Sequence, residues 1–325
     1  MSKIKLAQID PNGLCNSGCW YCPVAYSPNP EFAKKDMPIK TFESILIQLK
    51  EGIGDFVSDS FDLVYTAHYN EVLLYKNFEE MLGLFRKYNF KTIILSNGIP
   101  LTKNKVNIIK EYQDVVAGIC LNIPAAEAAF WSKLTNMNSK IFDKIINNVS
   151  YAIENLPLMF NNGSLSIQVN GIEKDSLREN GGGISLLENS PVSQGRIDNN
   201  YLDYQVNLFK KIFPRLNVYK MSNLIDRAGH LDTFKALTNI HNIEPISSGK
   251  KVVGCLNMGS RTNDWIHINS NGDMFICCND YDFETIYGNI NEKTIQEIWN
   301  SKERFNMIEK SYSSLCTTCA SAIWE

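Results

Sequence analysis

Apolar and polar positions follow two alternating periods along the first two thirds of the chain. Runs rich in β-branched and apolar residues, at Ile4–Ile9, Phe61–Ala67, Lys91–Ser96, Val115–Leu121, Ser164–Val169 and Leu216–Met221, read as strands. Between them lie stretches with helical spacing. Thr41–Gly52 carries Phe42, Ile45, Leu46 and Leu49 on one face, and Phe78–Tyr88, Lys105–Glu111, Ile141–Asn155 and Tyr201–Ile212 follow the same rule. Alternating β and α segments predict an α/β fold, a parallel sheet with helices packed outside it. Six such units fall short of the eight in a closed barrel. Pattern alone therefore leaves two candidates, an incomplete barrel and an open doubly wound sheet.

On the fifth strand Ser166, Gln168 and Asn170 alternate with Ile167 and Val169, giving one polar and one apolar face. If helices cover the apolar side, the polar side lines a solvated cavity, as in a partly open barrel that holds a polar ligand. An edge strand with one face in water shows the same alternation. The next segment, Glu173–Asn200, contains Gly181-Gly-Gly183 and Pro191 and is longer than an ordinary connection. It leaves the carboxyl end of its strand, where α/β proteins bind ligands, and reads either as a lid or as a surface insertion. Beyond residue 230 the periodicity weakens, and His241–Lys251 reads as a linker. Two domains are expected, 1–235 and 250–325.

Composition changes the picture mainly by exclusion. With 32 basic and 35 acidic residues and a net charge of −3, the chain lacks the electrostatic footprint of a general nucleic-acid or anionic-membrane binder. No window approaches the roughly 18 apolar residues of a membrane span, and the first residues do not form a signal peptide, so a cytoplasmic protein is expected. In that compartment thiols stay reduced, and nine cysteines point to metal binding rather than to disulfides. Eight of them fall in two groups: Cys15, Cys19 and Cys22, then Cys255, Cys277, Cys278, Cys316 and Cys319. Cys120 stands alone, on the same face of its strand as Asn122.

The first group, Leu14-Cys15-Asn16-Ser17-Gly18-Cys19-Trp20-Tyr21-Cys22-Pro23, places three thiols in a loop after the first strand, with Gly13 and Gly18 for tight turning. Zinc wants four ligands, or three and a water. A cubane iron–sulfur cluster on three cysteines keeps one iron open, and with no fourth Cys or His nearby it fits this donor set better.

This CxxxCxxC motif, with an aromatic before its last cysteine, resembles the signature of the radical S-adenosylmethionine enzymes. The resemblance implies a partial (β/α)6 TIM-type barrel. It further implies a [4Fe-4S] cluster on Cys15, Cys19 and Cys22 whose open iron chelates S-adenosyl-L-methionine, with Tyr21 against the adenine. In that family, reductive cleavage of the sulfonium yields a 5′-deoxyadenosyl radical that abstracts a hydrogen atom from the substrate. A one-electron reductant such as flavodoxin or ferredoxin is the implied partner. Where the family shows Gly-Gly-Glu-Pro, this chain has His68-Tyr69-Asn70-Glu71-Val72; Glu71 matches, and His68 and Asn70 are candidates to replace the glycine contacts. Ser96-Asn97-Gly98 resembles the family's Thr-Asn-Gly turn, and Asn122, Gln168 and Asn170 are further candidate cofactor contacts.

The second group surrounds a hairpin with an Asn-Gly-Asp turn and ends in Cys316-Thr-Thr-Cys319. A zinc ribbon describes this arrangement too. Cys255, Asn271-Gly-Asp273 ahead of Cys277, Gly288-Asn-Ile290, Ile298-Trp-Asn300 and the final CxxC together resemble the SPASM or twitch extension, a small α+β domain that binds an auxiliary [4Fe-4S] cluster. By that resemblance Cys255, Cys277, Cys316 and Cys319 are ligands and Cys278 is spare. Asn223-Leu-Ile-Asp-Arg227-Ala-Gly229 resembles a segment of SPASM relatives, with Arg227 as a candidate carboxylate or phosphate contact. The implied activity is that of a radical S-adenosylmethionine oxidoreductase, with the auxiliary cluster accepting an electron. Because the chain begins directly at its first strand, the reading leans toward a small polar metabolite, with a ribosomal peptide as the alternative. A zinc-stabilised binding protein without redox chemistry is the alternative of another class.

Overall fold

The computed structural model describes residues 2–19, 21, 22, 24, 30–170, 184–186, 194–197, 199–221, 223–225, 251–255, 261–319 and 322–325. Its strands are β1 Leu6–Ile9, β2 Leu63–Tyr65, β3 Lys91–Ser96, β4 Val116–Asn122, β5 Leu165–Val169, β6 Ile184–Leu186, β7 Gln194–Ile197, β8 Asn217–Lys220, β9 Asn223–Ile225, β10 Val252–Cys255, β11 Trp265–Ile268, β12 Asp273–Phe275, β13 Ile286–Asn289 and β14 Ala322–Trp324. Its helices are α1 Ile39–Glu51, α2 Phe78–Tyr88, α3 Lys103–Glu111, α4 Ala128–Thr135, α5 Lys140–Asn155, α6 Pro157–Asn161, α7 Asn199–Ile212, α8 Arg261–Asp264, α9 Ile295–Trp299 and α10 Lys302–Tyr312.

Strand order decides between the two candidate architectures. The main sheet runs β13-β12-β11-β1-β2-β3-β4-β5-β8, and every pairing from β1 to β8 is parallel. Successive strands step always in one direction. Right-handed crossovers then place all the helices on one face, whereas a doubly wound sheet reverses direction part way. The result is a partial (β/α)6 barrel. Ala7, Ile9, Val64, Ile94, Ile119, Leu121, Ile167 and Val169 form the face beneath the helices and are essentially inaccessible, while Gln8, Tyr65, Ile93, Leu95, Asn122 and Gln168 on the other face are half-buried. Helices seal the outer layer through contacts such as the edge-on Phe42–Phe85 pair between α1 and α2, at 5.5 Å and 88°.

The last quarter of the chain continues this sheet. β11 pairs in parallel with β1, Leu6 opposite Trp265 and Gln8 opposite His267, and β12 and β13 add in antiparallel fashion. The hairpin turn is built from its Asn-Gly-Asp sequence: Asn269 Oδ1 accepts from the amides of Asn271 and Asp273, and Gly272 sits at φ 88°. A Cβ there would meet Asn291 Nδ2 at 2.7 Å. Trp299 of α9 donates its indole N–H to the Ser2 carbonyl at 3.0 Å, and the buried Arg304 guanidinium covers the Trp299 ring at 3.5 Å while bonding the Thr262 carbonyl at 2.8 Å.

Two features differ from the sequence reading. The segment Ala128–Thr135, given no element, is α4, and within Glu173–Asn200 the short strands β6 and β7 form an antiparallel sheet with β9. Three or four residues are too few to display a period of two. The remainder of that segment, Trp20, Arg227, Gly229 and the linker up to residue 250, lies outside the described residues.

Candidate cofactor and cluster sites

The loop after β1 is folded by its glycines and by the backbone around it. Gly13 donates its amide to the Lys35 carbonyl at 3.0 Å, and a Cβ at this position would lie 1.7 Å from the Ala33 carbonyl oxygen, so glycine alone fits. The Gly18 amide bonds the Thr135 carbonyl at the end of α4, at 2.9 Å, and a turn from Cys22 N–H to Cys19 O, at 3.0 Å, closes the motif. Ser17 Oγ is 3.1 Å from Cys19 Sγ. Tyr21 is buried, and its hydroxyl bonds Cys19 and Asn170; burial, then the neighbouring Cys19, push its pKa up. Cys15 sits at the solvent edge, yet desolvation in the crowded loop, reinforced by Glu71, Cys19 and Cys22, pushes its thiol up to about 12. Among the described residues no three Cys, His, Asp or Glu groups close tightly enough to hold a single metal ion. The fit to a cluster rests on the donors themselves: thiols that burden one another electrostatically are relieved when iron replaces their protons.

Loops from β2 and β3 brace this motif. Glu71 is buried, and its carboxylate accepts from the amides of Leu73 (3.2 Å) and Asn97 (2.7 Å) and from Ser96. Its own amide bonds the Leu14 carbonyl at 2.8 Å. Burial outweighs these bonds and raises its carboxyl to about 7. Asn97 Nδ2 donates to Asn16 Oδ1 at 2.8 Å and lies 4.0 Å from Cys15 Sγ, while Ser96 Oγ accepts from the Gly98 amide. Asn70 bonds Asn12 Oδ1 (2.8 Å) and the Thr66 carbonyl. Glu71, Asn70 and Ser96, the candidate cofactor contacts, also tie loop to loop. Asn12 and Asn16 were not singled out in the sequence, where nothing distinguishes them from ordinary loop asparagines.

Inside the barrel the polar face is assembled from three strands. Cys120 of β4 shares a 2.7 Å hydrogen bond with the Tyr219 hydroxyl of β8, and whichever of the two accepts in that bond can donate to Gln168 Oε1 of β5, 3.7 Å from Cys120 Sγ and 3.3 Å from the Tyr219 hydroxyl. At the carboxyl ends of β4 and β5 the side-chain oxygens of Asn122 and Asn170 are buried and accept no hydrogen bond. Buried orphan acceptors cost free energy unless a ligand donor meets them, which fits a cofactor or substrate rich in N–H or O–H groups.

His68 takes another direction from the one expected. Its ring is held by residues of the C-terminal quarter: Nε2 donates to the Cys278 carbonyl, Nδ1 lies 3.9 Å from Asp10 Oδ2, and the ring packs on Tyr69, Tyr281, Phe275 and His267. Aromatic neighbours from the last quarter of the chain create this pocket, and no local sequence pattern encodes them. Tyr69 joins the same cluster and donates to the Asp280 carbonyl at 2.8 Å. Asp10 accepts from the amides of His68 and Tyr69, and burial pushes its carboxyl well up.

The second set converges around Cys316, whose buried thiol is pushed up by burial and then by Cys277, Cys319 and Cys255. Asn279 Nδ2 donates to Cys319 Sγ at 3.6 Å. Cys278 instead receives a hydrogen bond from Arg261, a residue the sequence reading passed over.

Residues 255–320 match the family model of SPASM, an iron-sulfur cluster-binding domain. Over 108 residues the chain is 28% identical to an S-adenosyl-L-methionine-dependent 2-deoxy-scyllo-inosamine dehydrogenase of Niallia circulans; this match takes in 33% of the chain and spans only 40% of that relative's length. The fold is similar to BtrN in complex with AdoMet and 2-DOIA, with 17% identity, a TM-score of 0.55, and 99% of this chain and 94% of that one covered. It is similar also to SuiB of Streptococcus suis, at 17% identity and TM-score 0.54 over 98% and 71% of the two chains. For anSMEcpe with bound AdoMet the values are 14% and 0.54 over 97% and 86%.

Proposed function

We propose that this chain is a radical S-adenosylmethionine enzyme, a partial barrel with a C-terminal SPASM domain, and that it oxidises a small polar metabolite by hydrogen-atom abstraction. In this reading Cys15, Cys19 and Cys22 hold the catalytic [4Fe-4S] cluster, and Cys255, Cys277, Cys316 and Cys319 hold an auxiliary one. The observation that carries it is the placement of both cysteine sets beside one strand: the trio follows β1, and the hairpin that precedes Cys277 pairs with β1. When bound, the first cluster supplies the electron that splits S-adenosylmethionine, and the auxiliary cluster takes up the electron released as the substrate is oxidised.

The chain's own residues position and recognise. Glu71 and Asn97 fix the end of β3 against the cysteine loop, and Tyr21 joins that loop to Asn170. Asn122 and Asn170 offer acceptors to a hydroxyl- or amine-bearing ligand, and Gln168 with Tyr219 extends the polar wall deeper. A flavodoxin or ferredoxin is the reductant in this reading. Among the described residues no helix is long and apolar enough to cross a membrane.

Anaerobic reconstitution should yield about eight irons per chain, as two cubane clusters require, together with 5′-deoxyadenosine release under reducing conditions. Replacing Cys15, Cys19 and Cys22 together by Ala should halve the iron and abolish that release. Retained cleavage in the triple variant, or zinc without acid-labile sulfide in the parent protein, overturns the proposal.

A further inference from the structure

Arg261 opens α8, directly ahead of β11, and its side chain reaches into the second cysteine set. One guanidinium nitrogen donates to Cys278 Sγ, and the group lies over the Trp265 ring at 5.2 Å. Its Nε is buried and makes no hydrogen bond. No carboxylate forms an ion pair with Arg261 among the described residues. A half-buried cation is therefore compensated by sulfur alone, an arrangement costly by itself and favourable once the neighbouring site carries negative charge.

We propose that Arg261 is a positioning residue that raises the reduction potential of the auxiliary cluster and so fits it to accept an electron. The inference rests on the reading of Cys255, Cys277, Cys316 and Cys319 as that cluster's ligands. An iron–sulfur cluster gains a unit of negative charge on reduction, and its potential is set by nearby charge, by hydrogen bonds toward its sulfurs and by solvent exposure. Arg261 supplies a fixed positive charge beside the ligand set and, by engaging Cys278, keeps the spare thiol occupied next to Cys277. Trp265, 7% exposed, screens the group from water, which strengthens its field at short range.

The test uses the full chain in the Cys15→Ala/Cys19→Ala/Cys22→Ala background, reconstituted anaerobically, so that the auxiliary cluster is followed alone by EPR in a mediated redox titration. Arg261→Gln should lower the reduced-to-oxidised ratio at fixed solution potential by tenfold or more, a shift of about 59 mV for a one-electron couple. Arg261→Lys, which keeps the charge, should recover at least half of that shift. If the background protein lacks about four irons, the cluster reading itself fails. With the iron present, an unmoved midpoint in Arg261→Gln overturns the inference alone. Loss of iron from Arg261→Gln makes the residue a scaffold element and overturns it as well.

Discussion

In the first set Cys15 lies at the solvent edge of a loop held by backbone hydrogen bonds and Cys19 and Cys22 are half-buried, whereas in the second Cys277 and Cys316 are buried and Cys255 and Cys319 half-buried. The first set has three thiols and polar company: Ser17, Asn16, Asn97 and, behind them, Glu71. The second gathers Cys277, Cys319 and Cys255 around Cys316, with an arginine, an asparagine and the Tyr69–Phe275–Tyr281–Phe283 rings nearby. An open rim suits a centre that must exchange a ligand at each turnover. A closed one suits a centre that changes only its charge.

Four measurements press on this contrast, from the largest expected effect to the smallest. Cys316→Ala should remove the auxiliary iron and stop product formation while S-adenosylmethionine cleavage persists; loss of both activities together would mean that the two sites are not separable. Trp299→Ala removes a fully buried ring that links the C-terminal module to Ser2, and should cost about 3–5 kcal/mol in a denaturant titration.

Glu71 gives a pH signature. Its folded pKa of about 7 stands above the ordinary 4.5, so the folded state holds the proton more tightly. The associated stability is complete below pH 4.5 and lost as pH rises through 7, a total of about 3 kcal/mol. Glu71→Gln should flatten that slope, read from unfolding curves across the window. Smallest of the four, Asn97→Ala deletes the bond to Asn16 and should cost about 1 kcal/mol in stability, with iron retention at the first site falling while the second is unaffected.

Much of this was legible in the sequence. Helices α1, α2, α3, α5 and α7 and the six barrel strands display their own periods, because each buries one face. The cysteines announce their chemistry through residue type and spacing. Partnerships made across long separations were not legible. His68 sits in a motif that resembles a cofactor contact, yet aromatic residues some 200 positions away capture its ring. Arg261 has no local signature, since its meaning depends on where Cys278 comes to rest. Glu71 was read as facing a ligand because of its neighbours in sequence, while the amides that occupy its oxygens include Asn97, on a different loop.

The parallel pairing of β11 with β1 bears on how the chain folds. The strand that covers the outer edge of β1 follows some 260 residues later, and Trp299 reaches back across 297 positions to Ser2. Until then β1 presents an unpaired edge, the kind of surface on which chains associate wrongly, and contacts of such separation form late. The edge strand whose following loop carries the first three cysteines is therefore closed only by the last quarter of the chain.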